Sequence, residues 1–197
     1  LSSYDFHLEG NNPKLIEINT NAGGIFLNFK LLQLAKPCCG NTKVQGISDF
    51  EEKIVRMFKD EFSKKSGQKT GLKTVAIMDE NIQEQFLYPE ILICKEILEK
   101  DNIQTFVVDS KDVEIKNKIA YYNDVKIDLI YNRNTDFYFK KEENKKFLEV
   151  LESSQTVISP SPQDHLIFAD KKNLVLMSQN ENLKNIIPLT LLVTKEN

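Results

Sequence analysis

Residues 74–109 constrain the fold more tightly than any other stretch of this chain. Thr74-Val75-Ala76-Ile77-Met78 is a short, nearly continuous apolar run that ends at Asp79. Such a run fits a strand buried on both faces. Residues 84–100 then carry apolar residues at helical spacing, and 104–108 repeat the short strand pattern up to Asp109. Strand, helix and strand at this spacing predict a right-handed parallel βαβ unit. Sheets of that kind bind ligands at the carboxyl ends of their strands. Asp79 and Glu80 sit at such an end, where they read first as caps for the following helix.

The flanking segments extend this plan. Residues 118–122 and 125–131 predict a hairpin around Asn123-Asp124, and Ile127-Asp128-Leu129-Ile130-Tyr131 is apolar enough to enter the sheet interior. Thr156-Val157-Ile158 predicts a further strand. Residues 25–36 read as a helix closed by Pro37. Residues 47–65 read as a second helix, with Ser48 as cap, Glu51 three positions later, and a core stripe of Phe50, Ile54, Met57, Phe58 and Phe62. The polar stretch 66–71 marks a subdomain boundary. Residues 142–153 predict an exposed helix with an apolar stripe of Phe147, Leu148 and Leu151. Residues 165–177, after Ser159-Pro160-Ser161-Pro162, predict another helix, and His165 within it reads as structural.

Composition narrows the function classes. The chain has 197 residues, 41% apolar and 28% charged, with a net charge of −3. That is enough apolar material for a packed core. Lys and Glu are interspersed without a basic stripe, which argues against nucleic-acid binding. No apolar run reaches membrane-spanning length and no signal peptide is visible, so a cytoplasmic protein is expected. Cys38, Cys39 and Cys94 lack C-x-x-C spacing and predict reduced thiols. With His7 and His165 as the only histidines, a zinc centre is not expected. The chain begins at Leu1 and stops soon after an apolar segment, so it reads as a piece of a longer protein.

The amino-terminal stretch carries the candidate chemistry. Gly10-Asn11-Asn12-Pro13 supplies turn residues between two alternating arms, 4–9 and 14–20. Tyr4, Phe6 and Leu8 share one face with Ile16 and Ile18, the expected core face. Asp5, His7, Glu17 and Asn19 point the other way. A turn centred near Asn11 places Asp5 opposite Glu17. Like charges directly opposite repel, so the pair is either well solvated or shares a cation. Two carboxylates and an amide suit Mg²⁺, which leaves its other positions to water and phosphate. The competing reading is an exposed polar face on an ordinary hairpin. Gly23-Gly24, directly before a helix, fit either an anion site or a turn that needs positive φ. Arg133 is one of two arginines, with Arg56, among 26 basic residues. Its planar fork suits a carboxylate, or it pairs with Asp136 on the surface. Lys171-Lys172 alone would read as a solvated pair.

Ile16-Glu17-Ile18-Asn19-Thr20 followed by Gly23-Gly24 resembles the metal-binding strand of glutathione synthetases of the eukaryotic type. The spacing of Asp5 to Glu17-x-Asn19 is similar to that in glutathionylspermidine synthetases. Both families belong to the ATP-grasp superfamily in circularly permuted order. The resemblance implies that Asp5, Glu17 and Asn19 hold Mg²⁺ on the phosphates of ATP. It implies that Thr20, Asn21, Ala22, Gly23 and Gly24 contact a peptide-like substrate. Ile130-Tyr131-Asn132-Arg133 is similar to the strand-end Tyr-x-Arg of glutathione synthetases. Arg133 is thereby implied to orient the carboxylate substrate, with Asn134, Thr135 and Asp136 beside it. Lys171 or Lys172 is implied to reach the ATP phosphates. One departure is Ser3, where glutathionylspermidine synthetases carry an arginine.

The expected fold is therefore α/β. Residues 1–66 resemble part of an ATP-grasp catalytic half and 72–158 a pre-ATP-grasp, Rossmann-like substrate domain with a largely parallel sheet. Residues 159–197 resemble the start of the nucleotide lid. No glycine follows Gly71, so the Gly-rich phosphate loop and the adenine clamp are missing from this stretch. The implied activity is ATP-dependent ligation of a carboxylate to an amine through an acyl phosphate, with this piece inactive alone. The alternative is a non-catalytic small-molecule or nucleotide-binding module on the same scaffold. The implied partners are small carboxylate and amine substrates; a homodimer is left open.

Overall fold

A computed structural model describes residues 2–34, 48–68 and 71–194. The predicted end of the first helix, Cys38, Cys39 and the predicted start of the second helix at Ile47 lie outside the described residues. The chain forms two compact units, one of Leu1–Ala22 with Pro160–Asn197 and the other of Gly23–Ser159. The sequence placed its divisions after residues 66 and 158. The fold places them after 22 and 159.

The larger unit is built on a four-stranded, fully parallel sheet. Its strands are β3 (Thr74–Asp79), β4 (Gln104–Asp109), β8 (Leu129–Asn132) and β9 (Val157–Ser159), in the order β4-β3-β8-β9. The βαβ pattern is realised by β3, α3 (Tyr88–Lys100) and β4. The helix begins later than its periodicity suggests, because residues 82–84 make a separate 3₁₀ turn and Pro89 sits in the helix's first turn. Val75, Ala76, Ile77 and Met78 are fully buried, which explains a run without alternation.

Two layers cover the sheet. Ala76, Met78 and Ile130 pack with Val113, Ala120, Ile127, Phe139, Phe147 and Val150. Tyr131, alternating to the opposite side, meets Phe58 edge-on at 5.2 Å between ring centroids. Phe58 belongs to α2 (Phe50–Ser66), whose buried residues also include Ile54, Val55 and Phe62. The residue before α2 is Asp49, and it makes no side-chain capping bond; the helix ends at Gly67 in the left-handed region, φ 66°. Ahead of α2, α1 (Ile25–Leu34) buries Phe26 and Phe29, and Phe29 stacks on Phe50 at 4.3 Å.

Four local expectations are corrected. Residues 125–131 do not form one hairpin arm. Val125–Lys126 is β7 in a small antiparallel sheet with β5 (Glu114–Lys116) and β6 (Ile119–Tyr122), whereas β8 joins the parallel sheet. Asp128 divides them because its carboxylate accepts from the N–H groups of Lys73 and Thr74, at 3.0 and 3.1 Å. Residues 142–153 are not an exposed helix. A 3₁₀ turn at Glu142–Asn144 precedes a short α4 (Lys146–Val150) that buries Phe147 and Val150, while Leu148 and Leu151 are exposed.

The smaller unit holds the hairpin of β1 (Ser3–Glu9) and β2 (Asn12–Asn19). The third correction falls here. Tyr4, Phe6 and Leu8 are more than half exposed, and Ile16 is exposed as well. Pairing shifts between Asp5 and Phe6: Phe6 faces Leu15 and Asp5 faces Glu17, so Ile16 is an extra, bulged residue. The bulge puts Leu15 and Ile18 on one side, where they pack with Leu174, Met177, Leu183 and Ile187. Leu174 comes from α6 (Lys172–Ser178), which follows the helical turn α5 (Pro162–Asp164) and a π-helical turn at His165–Ala169. The predicted continuous helix 165–177 is broken at Asp170, whose backbone is extended. A capping box of Ser161 and Asp164 starts this run.

Candidate functional site

Each unit gathers some of the residues singled out in the sequence. In the smaller unit the hairpin register pairs Asp5 with Glu17 and Ser3 with Asn19. Directly opposite residues share a face, as do residues two apart on a strand. Asp5, Glu17 and Asn19 therefore line one side of the hairpin. This register is reached by a route the sequence did not suggest. The turn is two residues long, Gly10-Asn11, with Gly10 at φ 62°, and the bulge at Ile16 restores the pairing further along.

Lys171 comes to the same place from the other end of the chain. Its ammonium lies 3.2 Å from the Glu17 carboxylate. Asp170 sets this up: its side chain accepts from the Lys172 N–H at 3.0 Å, and its carbonyl accepts from the Asn173 N–H at 2.9 Å. The Asn173 side chain donates to the carbonyls of Leu166 and Ile167, pinning the π-helical turn. Lys171 thus stands directly before α6, three residues before the buried Leu174. Thr20, at the end of β2, is buried, and its hydroxyl has no hydrogen-bond partner among the described residues. Asn21 is half-buried and Ala22 is buried.

The donor set suits Mg²⁺: two carboxylates and one amide, all hard oxygens. Asp5 is exposed and the Glu17 side chain is 32% exposed, which leaves solvent access on this face. Among the described residues there is no cluster of three or more His, Cys, Asp or Glu able to hold a metal. The hairpin supplies two acids, a number that leaves the remaining positions to water and phosphate.

In the larger unit, β8 lies on the opposite side of β3 from β4. The connectivity reverses between β3 and β8, and the carboxyl ends of such a pair form the ligand-binding crevice of open α/β sheets. Asp79, Glu80, Asn132, Arg133 and Asn134 stand there. The Arg133 N–H continues the ladder by donating to the Met78 carbonyl at 2.8 Å. Its guanidinium donates to the Tyr131 hydroxyl at 3.2 Å and lies 5.6 Å from that ring's centroid. Arg133 is buried and not a surface residue. A Cβ placed on Gly23 would lie 2.7 Å from the Leu87 side chain and 3.4 Å from the Arg133 guanidinium. Two positions implicated separately, Gly23 and Arg133, thus meet.

The remaining candidates do structural work. Asn134 donates to Glu80 at 3.1 Å and accepts from the Asp136 N–H at 2.7 Å. Asp136 accepts from the N–H groups of Lys140 and Lys141, at 2.9 and 2.8 Å, and from the Asn144 side chain at 3.1 Å. Thr135 is exposed. Glu80 is not a helix cap. It accepts from Asn134, Asn144 and Lys141 and ties the loop after β8 to the end of β3. Burial raises its pKa, but those three donors more than offset it, so the Glu80 pKa lies below its ordinary value. Asp79 is not a helix cap either; its carboxylate accepts from the adjacent Glu80 N–H at 2.8 Å, and Asn81 and Leu87 stand at the starts of the helical turns that follow. Burial pushes the Asp79 carboxyl up to about 6 against the pull of that N–H and of Arg133, while neighbouring Glu80 and Asp109 add to the rise.

The sequence reading missed Glu90 here and gave Tyr131 no role beyond the motif it shares with Arg133. Glu90 on α3 is 3% exposed, and its carboxylate faces the start of α1. Burial raises its pKa, and Arg133 with the N–H groups of Leu27, Gly24 and Phe26 at the start of α1 draws it partly back. Tyr131, fully enclosed, has its phenol pushed up to about 12 by burial. Arg133 is thus the cation among a buried carboxylate, a phenol and the Cys94 thiol, which burial also pushes up. The signal for Tyr131 was its place two residues before Arg133 on a strand, on the same face.

The chain is a mixed α/β protein with a four-stranded parallel sheet. No protein-family model matches the sequence, and no curated protein matches it. Among the described residues no helix is long and apolar enough to cross a membrane.

Proposed function

We propose that this chain serves ATP-dependent ligation of a carboxylate to an amine, in the manner of the permuted ATP-grasp ligases that its sequence resembles. The observation that carries this reading is the meeting of Glu17 and Lys171, 3.2 Å apart. Each was assigned separately, one to the metal and one to the phosphates, from opposite ends of the sequence.

Asp5, Glu17 and Asn19 would hold Mg²⁺, which when bound neutralises the charge on the nucleotide's phosphates. Lys171 places a mobile positive charge beside them for phosphate oxygens. Lys172 is the weaker choice, because the ion pair to the hairpin carboxylate is made by Lys171. In the larger unit Arg133 offers its fork to the substrate carboxylate. Tyr131 donates no charge but accepts from that fork, and Gly23 lets the backbone pass beside Leu87 and the guanidinium, where a Cβ would meet the Leu87 side chain at 2.7 Å. Work of this kind is positioning and charge stabilisation and needs no covalent protein nucleophile.

The test is a thermal-shift titration with Mg²⁺ and ATP, alone and together, on wild type and Glu17→Gln. A ligand at about ten times its dissociation constant adds about 1.4 kcal/mol to the native state. The wild type should rise by a few degrees with Mg²⁺-ATP, and Glu17→Gln should lose most of that rise. A rise independent of divalent metal, or equal in the variant, would overturn the reading. A plain doubly wound small-molecule binder predicts that metal-independent result.

A further inference from the structure

We infer that Lys171 is the built-in counter-ion of Glu17, holding the carboxylate until a metal and a nucleotide's phosphates arrive together. The inference rests on the proposed function and goes beyond it. It gives Lys171 two successive partners and makes metal binding without nucleotide self-limiting.

Three observations lead there. The hairpin register sets Asp5 against Glu17, an arrangement that repels unless a cation sits nearby. The cation that does so is the Lys171 ammonium, 3.2 Å from Glu17. The anchor of that lysine is rigid while its charge is free. Its backbone stands directly before α6, fixed by the Asp170 and Asn173 bonds and by Leu174 in the small core, yet its side chain is 70% exposed. An exposed ion pair of this kind is weak and easily exchanged.

The consequence follows from charge alone. A divalent cation entering at Asp5 and Glu17 without nucleotide meets the ammonium already there and must displace it. A triphosphate supplies new oxygens for the ammonium, so lysine and metal then bind side by side on opposite charges. Removing the lysine charge should therefore act in opposite directions on the two ligands. Lysine suits this exchange better than arginine would, because its point charge on a flexible stem has no fixed fork to break.

The experiment measures free Mn²⁺ by electron paramagnetic resonance during titration of wild type, Lys171→Gln and Glu17→Gln. In parallel, a non-hydrolysable ATP analogue is titrated with Mg²⁺ by calorimetry. Lys171→Gln should bind Mn²⁺ alone about two- to fivefold more tightly. It should bind the Mg²⁺–analogue complex about tenfold more weakly. Lys171→Arg should restore the second affinity. Mn²⁺ binding that is unchanged or weakened in Lys171→Gln would overturn the inference and leave the metal assignment standing. No Mn²⁺ binding to the wild type, or binding that survives in Glu17→Gln, would remove the metal assignment and this inference with it. Lys171 is exposed, so its variants should melt with the wild type, and a melting curve checks that.

Discussion

Asp79 shows how position along a sheet turns an ordinary carboxylate into a titrating group near neutrality. It ends β3 beside Asp109 in the parallel register, buried, with Glu80 next to it. Its pKa rises from 3.8 to about 6. The native state therefore keeps a proton that the unfolded chain has lost between those two values. Stability from this residue is fully present below the lower value and is lost as pH rises through the upper one. Asp79→Asn removes the titration and keeps an oxygen for the Glu80 N–H. The difference in melting temperature, variant minus wild type, should grow by a few degrees between pH 4 and pH 7; a flat difference would count against the assignment. Glu90 shows what the sequence could not display. It is one of several acids on a helix rich in Lys and Glu and reads as solvent-facing. Its burial depends on α1 lying across it, a long-range event with no local signature. Glu17 and Asp5 were legible because their partnership is set by a turn a few residues away, even though the turn itself was placed one residue off.

The elements that were read well are those whose pattern is imposed by burial on both faces. β3 and β4 announce themselves as apolar runs, and α3 between them fixes their parallel sense. The segments read poorly are short and interrupted by polar side chains that bond to backbone. Asp128 splits an apparent strand by accepting from the Lys73 and Thr74 N–H groups, and Asp170 splits an apparent helix by accepting from the Lys172 N–H. In each, a side-chain bond to backbone competes with regular structure, locally at Asp170 and across the fold at Asp128, and periodicity does not register it. Glu80 organises a further segment through side-chain bonds. Its carboxylate holds Asn134, Asn144 and Lys141, and so sets the course of the loop after β8. Glu80→Ala should cost about 2 kcal/mol, or roughly 4–8 °C in melting temperature. Amides of residues 134–144 should exchange faster in that variant while those of β3 keep their protection. Glu80→Gln, which retains an acceptor for the two asparagines, should recover part of the loss. Equal melting of the alanine variant and wild type would show the loop to be held by Asp136 alone.

At the scale of the whole molecule, the smaller unit is stitched from both ends of the chain, while the larger is one continuous segment. The two therefore depend on different cores. The larger rests on the β3 and β8 interior with Phe139 and Phe147; the smaller rests on Leu15, Leu174 and Ile187. The smaller core is thin, and the hairpin above it leaves Tyr4, Phe6 and Leu8 in solvent. A two-stranded ribbon is marginal by itself, so β1 and β2 should owe their order to Leu15 and to the Leu15 N–H, which donates to the Ile186 carbonyl at 2.8 Å. Leu174→Ala tests this directly. Truncating a buried leucine costs about 2–5 kcal/mol, and a core this small should sit at the lower end. Hydrogen exchange of the variant should show faster exchange at Leu15, Ile187 and the β1–β2 ladder. The Arg133 amide, bonded to Met78 inside the parallel sheet, should keep its wild-type rate. The same variant should weaken binding of the Mg²⁺–analogue complex, because Lys171 and Glu17 are brought together by that core, and should leave the surroundings of Arg133 unaltered. Uniform acceleration across both units would mean that the molecule opens as one cooperative body, and the hairpin's order would then have to be sought in the sheet.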